Sequence, residues 1–259
     1  MKSRVAAIIP ARMASTRFPG KPLCSIRGLP MIEHVRRRAL LCGLFSEVIV
    51  ATCDQEIAQS VQRYGGRCIL TSPSHVAATD RVSEAAQKLD CTHVVNVQGD
   101  EILVTPSDLA RMVSAIQARP EVPAWNAVAS LESPEEISDS SVVKCAVSLS
   151  GRILFCSRDF SGLQGQEGMN GSGSLRRIVG ILGYRFDFLE RYGTLQRTPL
   201  EVAHRIDQLR IIEWDVALQG VEFSHGFLGI NEPREVEIVE SYLEKDLQQR
   251  TILKEVLAE

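Results

Sequence analysis

The stretch from Ile8 to Leu23 reads IIPARMASTRFPGKPL and places three cations directly behind an apolar run. Arg12, Arg17 and Lys21 could bind a polyphosphate, because guanidinium groups fork onto phosphate oxygens and an ammonium group acts as a compact point charge. The pattern is neither G-x-G-x-x-G nor the Walker form G-x-x-x-x-G-K-[ST]. Taken alone, it is therefore also compatible with a solvated basic loop.

A second chemical feature is VVNVQGDE, which ends in Asp100 and Glu101. Magnesium prefers carboxylate oxygens, keeps several waters and completes its shell with phosphate. An acidic strand end opposite the basic loop would suit a magnesium triphosphate, and Asp100 would then be a metal ligand. A turn or helix-capping role is the common use of Asp at such a position, so both readings of Asp100 stay open.

The elements that must position these residues alternate between short β-branched runs and longer amphipathic stretches. Strands are predicted over RVAAIIP, SEVIVAT, GRCILT and THVVNVQGD, and helices over MIEHVRRRALLCG, QEIAQSVQRYGG, TDRVSEAAQKLD and PSDLARMVSAIQARP. This order predicts an α/β fold with an open, mostly parallel, Rossmann-like sheet. Ligands of such sheets lie outside the carboxyl ends of the strands, where both chemical features fall.

The pattern changes after Pro120, where the predicted strands WNAVASL, SVVKCAVS, RILFCSR and RIVGILGYRF follow one another closely. We expect an antiparallel or mixed extension of the sheet there. The Gly/Ser-rich segment SGLQGQEGMNGSGSL is expected to be a mobile loop. Closing helices are predicted over PLEVAHRIDQLRIIEWDVALQG and PREVEIVESYLEKDLQQRTILKEVLAE, and no linker divides the chain.

Composition limits the classes of partner. The chain has 259 residues, and its 29 Lys and Arg against 32 Asp and Glu give a formal charge of -3, too little for a broad field that holds nucleic acid or an anionic membrane. The N-terminal apolar run ends at Pro10, too short for a signal peptide or a membrane span, so we expect a cytoplasmic protein. The seven cysteines are odd in number and scattered, which favours reduced thiols.

Several motifs together resemble the 3-deoxy-manno-octulosonate (Kdo) cytidylyltransferase family. They are IIPARMASTRFPGKPL, the H-x-x-x-TDR of His75 to Arg81, VNVQGDE, FCSR, GILGYR, PLE…DQLR and GINEPREVE, and they run through nearly the whole chain. The resemblance implies a homodimeric, magnesium-dependent nucleotidyltransferase that joins CTP and a 2-keto-3-deoxy sugar acid to give CMP-sugar acid and pyrophosphate for lipopolysaccharide. It also implies a single domain over residues 1–259, with a sugar-binding and dimerisation extension at about 121–200.

The resemblance also implies roles for individual positions. Catalytic roles fall to Arg12, Lys21 and Asp100, and magnesium ligation falls to Asp100 and Asn231. The implied nucleotide-binding residues are Pro10, Ala11, Arg12, Arg17, Lys21, His75, Ala78 and Thr79. The implied sugar-acid-binding residues are Arg81, Gln98, Arg158, Ile178, Leu182, Tyr184, Asp207 and Gln208. For His75, contact with the ligand and simple packing remain equal alternatives. A structural role, in a salt bridge or in the core, is the alternative for Arg81, Gln98, Arg158 and Tyr184.

The chain departs from the family pattern at several of these positions. Ile178 stands where the family often has histidine, Leu182 where it has tyrosine, and Asn231 where it has a metal-binding aspartate. Asp207 replaces a glutamate, and HVAAT replaces H-x-S-G-T. Two alternatives follow: a cytidylyltransferase of the same fold for another acid, such as an amino or deoxy analogue, and a non-catalytic nucleotide-binding protein. Only Asn231 favours the second, and the retained phosphate-binding cations oppose it.

Overall fold

A computed structural model describes residues 3–14, 17–75, 77–163, 174–226 and 229–258. The chain folds into two compact units, one of Met1–Ser114 with Phe227–Glu259 and one of Ala115–Gly226. None of the helices in the described ranges combines the length and apolarity needed to cross a membrane.

The first unit is built on a parallel sheet. Its elements up to the unit boundary are β1 Val5–Ala11, β2 Ser25–Ile26, β3 Leu29–Pro30, α1 Met31–Leu41, β4 Glu47–Thr52, α2 Gln55–Arg63, β5 Arg67–Leu70, α3 Ala78–Ala86, β6 His93–Val97 and α4 Pro106–Ala118, within which the boundary falls. Strands β6, β1, β4 and β5 pair in that order, all parallel. This confirms the predicted parallel part of the fold.

The two central strands of this sheet bring two features to one edge. One is the basic loop, which carries Arg12, Arg17 and Lys21, and the other is the acidic tip, the strand end that carries Asp100. All seven residues of β1 are buried, as are all five of β6, which is typical of parallel strands covered on both faces. Arg12 directly follows β1, and Gln98, Gly99 and Asp100 directly follow β6. Since parallel strands end at the same edge, these residues share one end of the sheet.

Gly99 permits the close approach of these two strand ends. A Cβ atom at this position would lie 3.0 Å from the carbonyl oxygen of Pro10 and 3.5 Å from Cδ1 of Ile32. The first contact is with backbone at the end of β1, which has little freedom to move. The glycine of the QGDE motif therefore leaves room for close packing of β1 against β6 that a Cβ atom would crowd.

The second unit is a mixed sheet. Its elements are β7 Ala124–Ala129, β8 Lys144–Val147, β9 Ile153–Ser157, β10 Leu175–Arg185, α5 Phe186–Tyr192, α6 Pro199–His204, α7 Gln208–Glu213 and β11 Leu218–Glu222. β11 pairs with β7 in parallel, whereas the pairs β7–β10, β10–β8 and β8–β9 are antiparallel. The predicted antiparallel or mixed extension is confirmed. The chain then returns to the first unit with α8 Glu235–Lys245 and α9 Leu247–Ala258.

The helix predicted over residues 199–220 is wrong in its final part, because Leu218–Glu222 forms the strand β11. The preceding residues form two short helices instead of one. Arg205, with φ of 54°, ends α6 in the left-handed region, and Asp215, with φ of 55°, follows α7. The helices predicted near the C-terminus are present as α8 and α9, separated by an extended Asp246. Helix α5 was not predicted.

Two predictions about the organisation of the chain stay predictions. The mobile loop expected over residues 161–175 falls mostly on residues 164–173, which lie outside the described residues. The extension expected at about 121–200 falls within the second unit. Its role in sugar binding or dimerisation, and the description of the chain as one domain, are not tested by the fold.

Substitution of Gly99 by alanine should destabilise the protein by about 1–3 kcal/mol, the usual effect of overpacking a well-packed site. Gly162→Ala is the matched control, since a Cβ there would have no atom within 4 Å and should change stability by less than about 0.5 kcal/mol. Denaturant unfolding of both variants measures the difference. Equal stabilities would contradict the packing role of Gly99.

Candidate active site

A cavity of about 330 Å³ opens where β1 and β6 end. Its lining residues are Pro10, Ala11, Arg12, Ala14, Arg17, Lys21, Pro22, Met31, His75, Ala77, Ala78, Arg81, Gln98, Gly99 and Asp100. Most of the residues predicted to bind nucleotide are thus brought together in the first unit, as are Arg81 and Gln98. Thr79 is instead buried in α3, with 3% of its surface exposed.

Lys21 connects the basic loop to the acidic tip. Its Nζ donates a hydrogen bond of 2.7 Å to Oδ2 of Asp100 and one of 2.8 Å to the carbonyl oxygen of Ile230. The side chains of Lys21 and Asp100 are only 16% and 24% exposed. The turn that presents Lys21 depends on Gly20, whose φ of 73° lies in the left-handed region that favours glycine, and whose N–H bonds to the Met13 carbonyl oxygen.

The second predicted metal ligand contacts another cation of the same loop. Nη2 of Arg17 donates to Oδ1 of Asn231 at 3.1 Å. The backbone N–H groups of Asn231 and Glu232 both donate to Oε2 of Glu235, the first residue of α8. Glu235 therefore fixes the backbone that carries Asn231, and each predicted metal ligand is bonded to a cation predicted to bind phosphate.

The oxygen atoms of Asp100 and Asn231 fit a hard divalent cation. Nζ of Lys21 bonds to Asp100 and to the carbonyl oxygen of Ile230. A positive charge is therefore already held between the strand end at Asp100 and the segment that carries Asn231. Within the described ranges, no group of three or more His, Cys, Asp or Glu side chains could hold a metal. One carboxylate oxygen and one amide oxygen are a donor set that suits magnesium, since this ion commonly takes one or two protein ligands and fills its shell with phosphate and water.

His75 lines the cavity and is held by a neighbour that the sequence did not indicate. Nε2 of His75 lies 2.5 Å from Oε2 of Glu84, and the same oxygen accepts the N–H of Ser72. Burial alone would raise the pKa of Glu84, but these hydrogen bonds hold it below its usual value. Arg81 Nη1 bonds the Thr71 hydroxyl. The loop before α3 is thus anchored to the helix.

The remaining predicted sugar-acid residues lie in the second unit. Nε2 of Gln208 donates to Oδ1 of Asn126 at 2.8 Å, and Nδ2 of Asn126 donates to the Val179 and Ala127 carbonyl oxygens at 2.9 and 2.7 Å. Leu182 is the register partner of Asn126 across β10 and β7. Sequence reasoning missed Asn126, whose only signal is a buried amide in an otherwise apolar strand.

The other members of this set have mixed environments. Leu182 and Tyr184 are 3% and 1% exposed, and the Tyr184 ring stacks on Phe188 with centroids 6.4 Å apart. Tyr184 therefore packs in the core of its unit.

Three other members of the set are placed differently. Ile178 is half-buried on β10. Arg158 Nη1 donates to the carbonyl oxygen of Ser140 at 3.0 Å. The backbone oxygen of Asp207 accepts from the Tyr192 hydroxyl at 3.3 Å.

Comparison with known proteins defines the class of enzyme. A family model described as cytidylyltransferase matches residues 6–222. The chain is 36% identical over 244 residues to the 3-deoxy-manno-octulosonate cytidylyltransferase of Geobacter metallireducens, an alignment that covers 91% of this chain and 96% of the relative. It is 39% identical over 243 residues to the protein of the same name from Myxococcus xanthus, with 93% and 96% covered.

A solved structure gives the same result. The structure of a CMP:2-keto-3-deoxy-manno-octonic acid synthetase in complex with CTP matches with a TM-score of 0.88 at 32% identity, covering 95% of this chain and all of that one. The matches make the chain a nucleotidyltransferase. It belongs to the 3-deoxy-manno-octulosonate cytidylyltransferase family, as its motifs indicated.

Replacing Lys21 by methionine should lower the rate of nucleotidyl transfer by about 100-fold or more, because a cation aimed at phosphate charge acts mainly in the transition state. The melting temperature should change by no more than about 3 °C, since the lysine lies at the open end of the sheet. Lys254→Met, on an exposed position of α9, removes the same charge and should alter neither property. Retention of most activity in Lys21→Met would contradict the assigned role.

Proposed function

We propose that the protein transfers the cytidylyl group of CTP to a Kdo-like 2-keto-3-deoxy sugar acid and releases pyrophosphate. The observation that carries this proposal is the cavity of the first unit, where Arg12, Arg17 and Lys21 face the acidic tip that ends in Asp100. The names of the family relatives support the choice of acid, and the CTP complex of the related synthetase supports the choice of nucleotide.

In this proposal the anomeric hydroxyl of the acid attacks the α-phosphorus of CTP in line with the departing pyrophosphate. Reactions of this type depend on positioning and on neutralising charge at the phosphate oxygens. Arg12, Arg17 and Lys21 bind those oxygens, and Lys21 is oriented for this by the Ile230 carbonyl. The attacking hydroxyl gives its proton to solvent water as its bond to the α-phosphorus forms and the bond to pyrophosphate breaks, and no covalent intermediate with a histidine or cysteine is required.

Asp100 and Asn231 are proposed to hold magnesium, which would neutralise phosphate charge and lower the pKa of a bound hydroxyl. Each residue would first have to release its cation: Lys21 moves from Asp100, and Arg17 from Asn231. The triphosphate is the natural acceptor of both cations. The chain would thus exchange internal ion–dipole and ion-pair contacts for contacts with the magnesium nucleotide.

The nucleotide can be tested through stability. CTP should raise the melting temperature, because a ligand that binds only the folded state stabilises it by mass action, and magnesium should increase the shift. ATP at the same concentration should give a smaller shift. The Lys254→Met variant should respond like the wild type. Equal shifts with all four nucleoside triphosphates, or no shift with millimolar CTP, would contradict the cytidylyl assignment.

One observation favours an acid other than Kdo itself. Leu182 is buried opposite Asn126, Nδ2 of Asn126 donates to two backbone carbonyl oxygens, and Nε2 of Gln208 donates to Oδ1 of Asn126. With Ile178 and Leu182 in place of polar side chains, these positions offer fewer partners for hydroxyl groups. A deoxy or amino analogue is therefore the second candidate substrate.

The acid can be tested by substituting the two apolar positions. An unpaired hydroxyl costs about 1–3 kcal/mol on desolvation, or roughly tenfold per contact, so Kdo should have a lower kcat/KM than a deoxy or amino analogue. Ile178→His combined with Leu182→Tyr should shift the ratio toward Kdo. The ratio is measured at saturating CTP.

Two results of that assay would reject the second candidate. One is a wild-type kcat/KM for Kdo far above that for every analogue, which leaves Kdo as the acid. The other is a double variant that folds, binds CTP and keeps the wild-type ratio, which removes Ile178 and Leu182 from the selection of the acid. A melting profile and the CTP-dependent shift serve as the control for folding.

We further propose a homodimer that works in the cytoplasm and supplies lipopolysaccharide synthesis, as the family resemblance implies. The second unit carries large apolar side chains on its surface, among them Leu149, Leu154 and Trp214, which are 109%, 52% and 42% exposed. A contiguous patch of such groups would support an interface between copies. Magnesium is the proposed cofactor, and neither nucleic acid nor a membrane is proposed as a partner.

A further inference from the structure

Two free thiols lie directly opposite each other in the second unit. Cys145 on β8 and Cys156 on β9 are register partners in the antiparallel pair, and both are fully buried. The proposed reaction uses neither of them. Their juxtaposition is independent of the active-site assignments, since it follows from strand register alone.

The hydrogen bonds of β8 show what kind of pair this is. The Val147 N–H donates to the Ser174 carbonyl oxygen, and the Val143 carbonyl oxygen accepts the Ile178 N–H. Residues 143, 145 and 147 therefore direct their backbone groups toward β10, and residues 144 and 146 direct theirs toward β9, because a strand alternates the sides to which it bonds. Cys145 and Cys156 thus form a non-hydrogen-bonded pair.

Pairs of this type have the geometry that a disulfide needs. Cα atoms of a non-hydrogen-bonded antiparallel pair lie about 4.5 Å apart, with the side chains on the same face and close together. The Cα separation in disulfides runs from about 4.4 to 6.8 Å. The backbone of β8 and β9 therefore already satisfies the main constraint, and only the thiol rotamers have to adjust.

Burial protects the thiols from rapid reaction. It raises the pKa of the Cys145 thiol to about 12 and that of Cys156 well above its ordinary value, so few molecules carry the reactive thiolate at neutral pH. Helix α7 and strand β11 contact β9. In the described part of the chain, however, β9 forms a ladder only with β8, so local opening of the hairpin would admit a small reagent.

We propose that Cys145 and Cys156 form a reversible dithiol–disulfide site that locks β8 to β9 under oxidising conditions. The thiolate of one cysteine attacks a sulfur of an external small-molecule disulfide such as oxidised glutathione and releases one reagent thiol, and the second cysteine then attacks the protein sulfur of the mixed disulfide and releases the other. One Sγ–Sγ bond forms in the protein, the S–S bond of the reagent breaks, and the reagent leaves as two thiols that carry the two protons.

The lock would act on the strand that leads to Arg158. Cys156 is followed by Ser157, the last residue of β9, and then by Arg158, whose carbonyl oxygen accepts a hydrogen bond from Nζ of the buried Lys144. Lys144 also donates to the Asp139 carbonyl oxygen at 2.7 Å. A cross-link beside Lys144 would therefore resist opening of the hairpin where this anchor lies.

The test is an equilibrium measurement on the full chain in glutathione redox buffers. A guanidinium concentration below the unfolding midpoint is included so that the hairpin can open, and the samples are then acid-quenched and alkylated. Peptide mass spectrometry should find Cys145 joined to Cys156, in a fraction that rises as one two-electron transition. Separate alkylation of both thiols at every ratio, or disulfides mainly to other cysteines, would overturn the proposal.

Matched variants separate the lock from general oxidation. Cys156→Ala and the more space-filling Cys156→Val cannot form the bond, whereas Cys68→Ala on β5 keeps the pair. Oxidation should raise the melting temperature of the wild type and of Cys68→Ala by about 5 °C, because a cross-link restricts the unfolded chain. It should leave both Cys156 variants unchanged. An equal shift in all variants, or none in the oxidised wild type, would contradict a lock.

Discussion

The contact between Lys21 and Asp100 is the interaction on which the site depends. It joins three segments that are far apart in sequence: the basic loop after β1, the tip after β6, and the chain before α8, through the Ile230 carbonyl oxygen. A largely buried ammonium needs such oxygen partners, since burial of an unpaired charge is costly. The lysine therefore organises the cavity before any ligand binds.

The same arrangement accounts for the mixture of charges at the edge of the sheet. Cations that suit phosphate and oxygens that suit magnesium satisfy one another, with Arg17 on Asn231 as the second example. Binding of a magnesium nucleotide would exchange these contacts without leaving a charge unpaired. In the proposed magnesium site, Asn231, a neutral amide where the family resemblance implies aspartate, would attract the metal less strongly and would leave Asp100 as the main anionic ligand.

Sequence alone predicted the parallel sheet because buried parallel strands and amphipathic helices leave clear patterns, as in β1 and α1. It predicted the cavity residues because they fall at strand ends and in specific motifs. It was wrong over residues 218–220, where the predicted helix gives way to strand β11, because left-handed residues such as Arg205 and Asp215 break a pattern that looks helical. Glu84 and Asn126 were missed because their roles come from tertiary partners.

The most direct test of the account is pyrophosphate release from CTP, measured with a panel of 2-keto-3-deoxy sugar acids in the wild type and in Asp100→Asn. We expect release that requires both magnesium and an acid, and a loss of about 100-fold or more in a folded Asp100→Asn variant. An Asp100→Asn variant that keeps most of the wild-type rate, or a wild type that releases no pyrophosphate with any acid of the panel, would contradict the account.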